Sequence, residues 1–105
     1  MKDLTELGWL ELAQAIALYV GRHDSSYPKR SVSRLETQYG SEKTEELLLL
    51  IKELESDFYE SDAKVVAADL VEMGERASAD FRRRRPLLPD IGVEALAWCY
   101  AYDFK

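Results

Sequence analysis

Apolar residues in this chain recur at steps of three and four, and no segment alternates apolar with polar residues between turn signals. That period belongs to helices that bury one face, so the chain is read as all-α. Leu4, Trp9, Leu12, Ala13, Ile16, Ala17 and Val20 keep the step through a first helix, Leu4 to Val20. Asp3 is placed to accept from its free amides, and Gly21 to end it in a left-handed turn. The polar stretch from Arg22 to Arg30 reads as a loop, with Pro28 pushing Tyr27 out of helical space. A short helix follows from Val32 to Tyr39. Ser33 and Glu36 have capping-box spacing in it, and Gly40 is a natural stop.

Ser41 is expected to cap a third main helix, Glu42 to Tyr59. Leu47, Leu48, Ile51, Leu54 and Phe58 face inward on it, and Glu42, Glu45, Glu46, Glu53, Asp57 and Glu60 face outward. Two residues break the pattern: Leu49 falls among the outward acids and Glu55 beside the inward stripe. Ser61 or Asp62 is expected to cap a fourth helix in which Val66, Leu70, Met73, Ala77 and Phe81 hold the period, with Gly74 admitting a close neighbour. Arg82–Arg85 close it before Pro86, which no helix interior tolerates. Asp90 is expected to cap the last helix, Ile91 to Tyr102, which is apolar nearly all round and so largely buried. The expectation is a single domain over residues 1–105, a bundle of four main helices plus one short one.

Composition narrows the chemistry. One His and one Cys exclude zinc fingers and His-rich catalytic sites, and no Glu-x-x-His pair exists for a di-iron bundle. No loop has the acidic spacing of an EF-hand, so neither a metal nor another cofactor is expected. Cys99 lies between Trp98 and Tyr100 and reads as a buried, inert thiol rather than a nucleophile. His23-Asp24 is the one imidazole beside a carboxylate. A general base there is weighed against a polar loop, or a His at the favourable C-terminal end of the first helix. No catalytic residue is assigned. The longest unbroken apolar run, Leu47 to Ile51, is far too short to span a membrane. Asp3, Glu6 and Glu11 stand where an export leader would carry Lys or Arg, so a cytoplasmic protein is expected.

Charge is the most informative feature. Residues 42–75 hold eleven acidic and three basic side chains, which exceeds the net −6 of the whole chain. The remaining parts are neutral or slightly positive. The four arginines point in different directions at a helix end, so they read as a collar pairing with the chain's own acids rather than a grip on nucleic acid. An acidic face carrying an aromatic and an out-of-pattern Leu suits a basic protein partner: charge steers the encounter and apolar groups hold it. The expected contact residues are Glu45, Glu46, Leu49, Glu53, Asp57, Tyr59, Glu60, Glu72 and Glu75.

In its size, its charge segregation and its want of catalytic parts, the chain resembles the small immunity proteins of bacterial polymorphic-toxin and contact-dependent inhibition systems. Its stretch Ala95-Leu96-Ala97-Trp98-Cys99-Tyr100-Ala101-Tyr102-Asp103-Phe104 is also similar to tails found in such loci. The resemblance implies a non-enzymatic inhibitor that covers a cognate, basic, nuclease-type toxin with its acidic helices. Beside it stand a helical adaptor for another basic protein, a self-assembling bundle, and a small enzyme using His23 and Asp24.

Overall fold

The computed structural model describes residues 6–23 and 26–104, with side chains from Gly8 onward. Six helices follow one another: α1 (Glu6–Val20), α2 (Val32–Tyr39), α3 (Ser41–Phe58), α4 (Ala63–Val66), α5 (Leu70–Arg84) and α6 (Asp90–Asp103). No strand occurs among the described residues. The all-α bundle is therefore as expected: α1, α3, α5 and α6 are the main helices and α2 is the short one. Asp3 and Leu4 lie outside the described residues.

The apolar stripes fall inward as their period requires. Trp9, Leu12, Ala13, Ile16, Ala17 and Val20 of α1 are buried, as are Leu47, Ile51, Leu54 and Phe58 of α3. The most extensive helix contact joins α1 to α6, and the next joins α6 to α5. Helix α6 thus lies inside the bundle, with Val93, Ala95, Leu96, Cys99 and Tyr100 buried. The radius of gyration is 13.4 Å, close to the ~13 Å expected of a folded chain of this length.

The fourth helix is interrupted where its period ran through. Ala67 and Asp69 are extended, and the Asp69 carboxylate accepts from the Glu72 amide at 2.8 Å. Glu72 in turn accepts from the Ala68 amide at 2.5 Å. The first bond satisfies an orphan donor at a new helix start and the second holds the amide just ahead of it, so the two together compete with continuation of the helix. Val66 and Leu70, expected inward, are exposed in consequence, while Met73, Ala77 and Phe81 are buried. Ser61 caps only the single turn α4, its hydroxyl accepting from the Ala63 amide at 3.2 Å.

Other caps also differ from expectation. The Ser41 hydroxyl donates to Glu36 at 3.5 Å and leaves the start of α3 to Gly40. Neither Ser33 nor Ser31 caps α2 through its side chain. Asp90 is the first residue of α6, paired with Arg82 at 3.2 Å. The end of α1 is as expected: Gly21 turns left-handed at φ 77°. Arg34 covers that end, donating to the carbonyls of Lys29 at 2.7 Å and Tyr19 at 3.4 Å. The glycine that admits a close helix is Gly92, not Gly74. A methyl group added at Gly92 would stand 3.0 Å from Ala13 Cβ, whereas one at Gly74 meets nothing within 4 Å.

Candidate functional site

The acidic residues of α3 divide into two groups with different fates. Near its C-terminal end they are neutralised internally. Arg30 donates to Glu55 at 2.8 Å, which explains an acid beside the inward stripe. Asp57 takes both Arg84 and Arg85, the latter at 2.8 Å. Glu60 lies 4.0 Å from Arg84. The arginine run is the expected collar: Arg82 pairs with Asp90, and Arg83 with Asp80 at 2.9 Å.

Along the outward face of the same helix the acids are left over. Glu42, Glu45, Glu46 and Glu53 are exposed, and none lies within salt-bridge distance of a cation among the described residues. Lys52 is exposed on the same helix. Leu49 stands among these acids with 74% of its surface exposed. The spacing 42, 46, 49, 53 follows one ridge of a helix, so Leu49 is framed by carboxylates above and below.

Beside this ridge runs a groove between α1 and α3. Gly8 and Leu12 form one wall, Leu47 and Leu50 the other, and Leu49 and Glu46 the rim. Lys43 crosses it to Glu11 at 2.6 Å, and this bond holds the ammonium above the usual lysine range. Leu50 carries no signal of its own in the sequence, where it is one of four consecutive leucines.

The remaining expected contact residues lie elsewhere. Tyr59 is half-buried, not presented outward: its hydroxyl donates to Asp103 at 2.5 Å and accepts from Arg30 at 3.3 Å. Its ring meets Tyr100 edge-on at 5.4 Å and Phe104 at 5.7 Å. Burial first, and Asp103 second, push its phenol well above the ordinary range. Arg30 loses some affinity for its proton by burial, but Glu55 more than restores it and the guanidinium is held above its usual value. Glu72 caps α5. The Ala68 amide first, then Arg76 at 3.2 Å, hold its carboxyl below the usual range. Glu75 lines a separate groove between α5 and α6. The structure therefore brings together Glu45, Glu46, Leu49 and Glu53, and does not bring Asp57, Tyr59, Glu60, Glu72 or Glu75 to them.

The groups suited to chemistry are placed apart. Cys99 is fully buried and its thiol is pushed up to about 12 by burial, with Arg30 pulling the other way. His23 is exposed in the turn after α1, and Asp24 lies outside the described residues. Among the described residues no three His, Cys, Asp or Glu side chains gather to hold a metal ion. No helix there is long and apolar enough to cross a membrane. Comparison with models of known protein families, with curated proteins and with solved structures returns no match.

Proposed function

We propose that this chain is a non-enzymatic binding protein that covers a basic protein partner with the outward face of α3, as an immunity protein covers its cognate toxin. One observation carries the reading: Leu49 stands exposed inside a frame of Glu45, Glu46 and Glu53, none of which lies within salt-bridge distance of a cation among the described residues. Unpaired like charges on one ridge repel each other and cost the free protein stability. A basic partner relieves that repulsion, and its approach is accelerated by the same charges. Leu49 and the adjoining groove then supply the desolvated apolar contact in which most affinity resides. Where the partner is a nuclease-type toxin, the carboxylates take the place of substrate phosphates over its basic cleft.

The acids that the chain spends on itself set the limit of this face. Asp57 and Glu60 hold the arginine collar, so the binding surface runs from Glu42 to Glu53 and stops there.

The test is capture followed by neutralisation. Tagged protein is used as bait in lysate of its source at low and high salt, and the captured protein is expressed in a host alone and with this chain. The expected result is a basic protein, released by salt, whose toxicity this chain abolishes. Leu49→Asp and a Glu45→Lys, Glu46→Lys double variant should each weaken capture at least about tenfold, mainly through a faster off-rate. A captured toxin that binds both variants as tightly as the parent would remove α3 from the interface.

A further inference from the structure

The second groove, between α5 and α6, differs from the first in its charge. Val71, Glu75, Ser78 and Arg82 succeed one another at steps of four, three and four, so they form one line along α5 at this groove. Trp98 and Glu94 form the α6 wall, and Arg22 stacks over Trp98 at 5.3 Å. Acid and base are balanced here: Glu75 and Glu94 against Arg22 and Arg82. In a chain with net charge −6, this neutral strip is a place where a second, equally acidic copy is not repelled.

The line on α5 is also self-complementary when reversed. Glu75 and Arg82 are two helical turns apart, about 10 Å. Laid antiparallel on a copy of itself about the midpoint between Ser78 and Ala79, each Glu75 faces the other copy's Arg82. The small residues Ser78 and Ala79 lie at the crossing, where backbones can come close. Val71, at the start of the line, is 71% exposed and leaves an apolar side chain uncovered. A two-fold axis requires this relation, in which residue i meets j and j meets i.

We propose that the chain forms a two-fold homodimer in which α5 packs antiparallel on α5 of a second copy, with Glu75 paired to Arg82 across the axis. Arg82 then exchanges part of its exposed contact with Asp90, at 3.2 Å in the single chain, for the carboxylate of the other copy. The surface is distinct from the α1–α3 groove, so this dimer and the partner reading above stand or fall separately.

Sedimentation velocity over a wide range of concentration tests it. The parent should shift from monomer to dimer as concentration rises. Glu75→Arg and Arg82→Glu each place like charges across the axis and should each weaken the dimer about tenfold or more. Both positions are exposed at the surface, and circular dichroism confirms that each variant keeps the parent's helicity and melting. Mixing the two variants should restore a dimer containing one of each, because every cross-axis pair is then opposite in sign. A parent that stays monomeric throughout overturns the proposal. So does a dimer indifferent to the single reversals, or a mixture that fails to re-form dimers.

Discussion

The hydroxyl of Tyr59 donates to the carboxylate of Asp103 at 2.5 Å, a bond between residues 44 positions apart. With Arg30 on Glu55 and on the same hydroxyl, it ties the first loop, the end of α3 and the end of α6 into one polar knot. Tyr100 makes a second tie nearby, donating to the Ser61 carbonyl at 2.9 Å and accepting from the Lys64 amide at 2.9 Å.

Tyr59→Phe keeps the ring against Tyr100 and Phe104 and removes only the hydroxyl. A hydrogen bond to a charged acceptor in a half-buried site contributes about 1–2 kcal/mol. The urea midpoint should fall by that free energy divided by the slope, with the slope itself unchanged. An unchanged midpoint would mean that the knot holds nothing.

Gly92 and Gly74 predict opposite outcomes for one substitution. At Gly92 a methyl group meets Ala13 Cβ at 3.0 Å, Ala13 Cα at 3.1 Å and Leu88 Cγ at 3.1 Å. Gly92→Ala must force α1 and α6 apart and should destabilise by about 1–2 kcal/mol net. Gly74→Ala meets nothing, gains helix propensity, and should stabilise by about 0.5–1 kcal/mol. Thermal melts in dilute protein, where self-association contributes little, read both.

The Thr44 hydroxyl is buried and finds no hydrogen-bond partner among the described residues. Thr44→Val keeps the shape and removes an unsatisfied polar group, so it should be neutral or stabilising by up to about 1 kcal/mol. A clear loss of stability on denaturation would show that the hydroxyl is bonded in solution.

Stability should decline in alkali. Burial raises the Cys99 thiol from 9.0 to about 12, and raises the phenols of Tyr19, Tyr39 and Tyr59 above 10.0. In each case the unfolded chain releases its proton first, so unfolding is favoured as pH rises. The contribution of Cys99 is therefore full below pH about 9 and is lost on the way to about 12. Denaturant titrations at neutral pH and at pH about 10 should show the fall. A thiol reagent should label Cys99 only after unfolding, and fast labelling of the native protein would contradict its burial.

The main helices were legible because each carries a stripe long enough for its period to be unmistakable, as from Trp9 to Val20. The break before Leu70 is hidden in the sequence, although Asp69 and Glu72 stand at the spacing of a helix cap. Val66 and Leu70 matched the period through it, and a period does not reveal which bonds compete with it. The acidic face was legible as composition but not as a surface. Helical wheels place Asp57 outward with Glu53, but Arg84 and Arg85 arrive from 27 and 28 residues away to take it. Tyr59 was misplaced for the same reason, because Asp103 and Arg30 reach it from distant parts of the chain. The role of Gly92 is not legible in the sequence, because nothing local distinguishes a glycine at a helix seam from one at an open surface.

Helix α1 rests more on α6 than on any other element, and the seam between them is closed by Gly92 against Ala13. During synthesis the first helix is therefore made long before its principal support. Ala13 and the rest of the α6-facing side of α1 must wait uncovered until residues 90–103 have left the ribosome. The core then closes in one late step, and a nascent chain stalled before α6 would be a client for chaperones rather than a partly working protein.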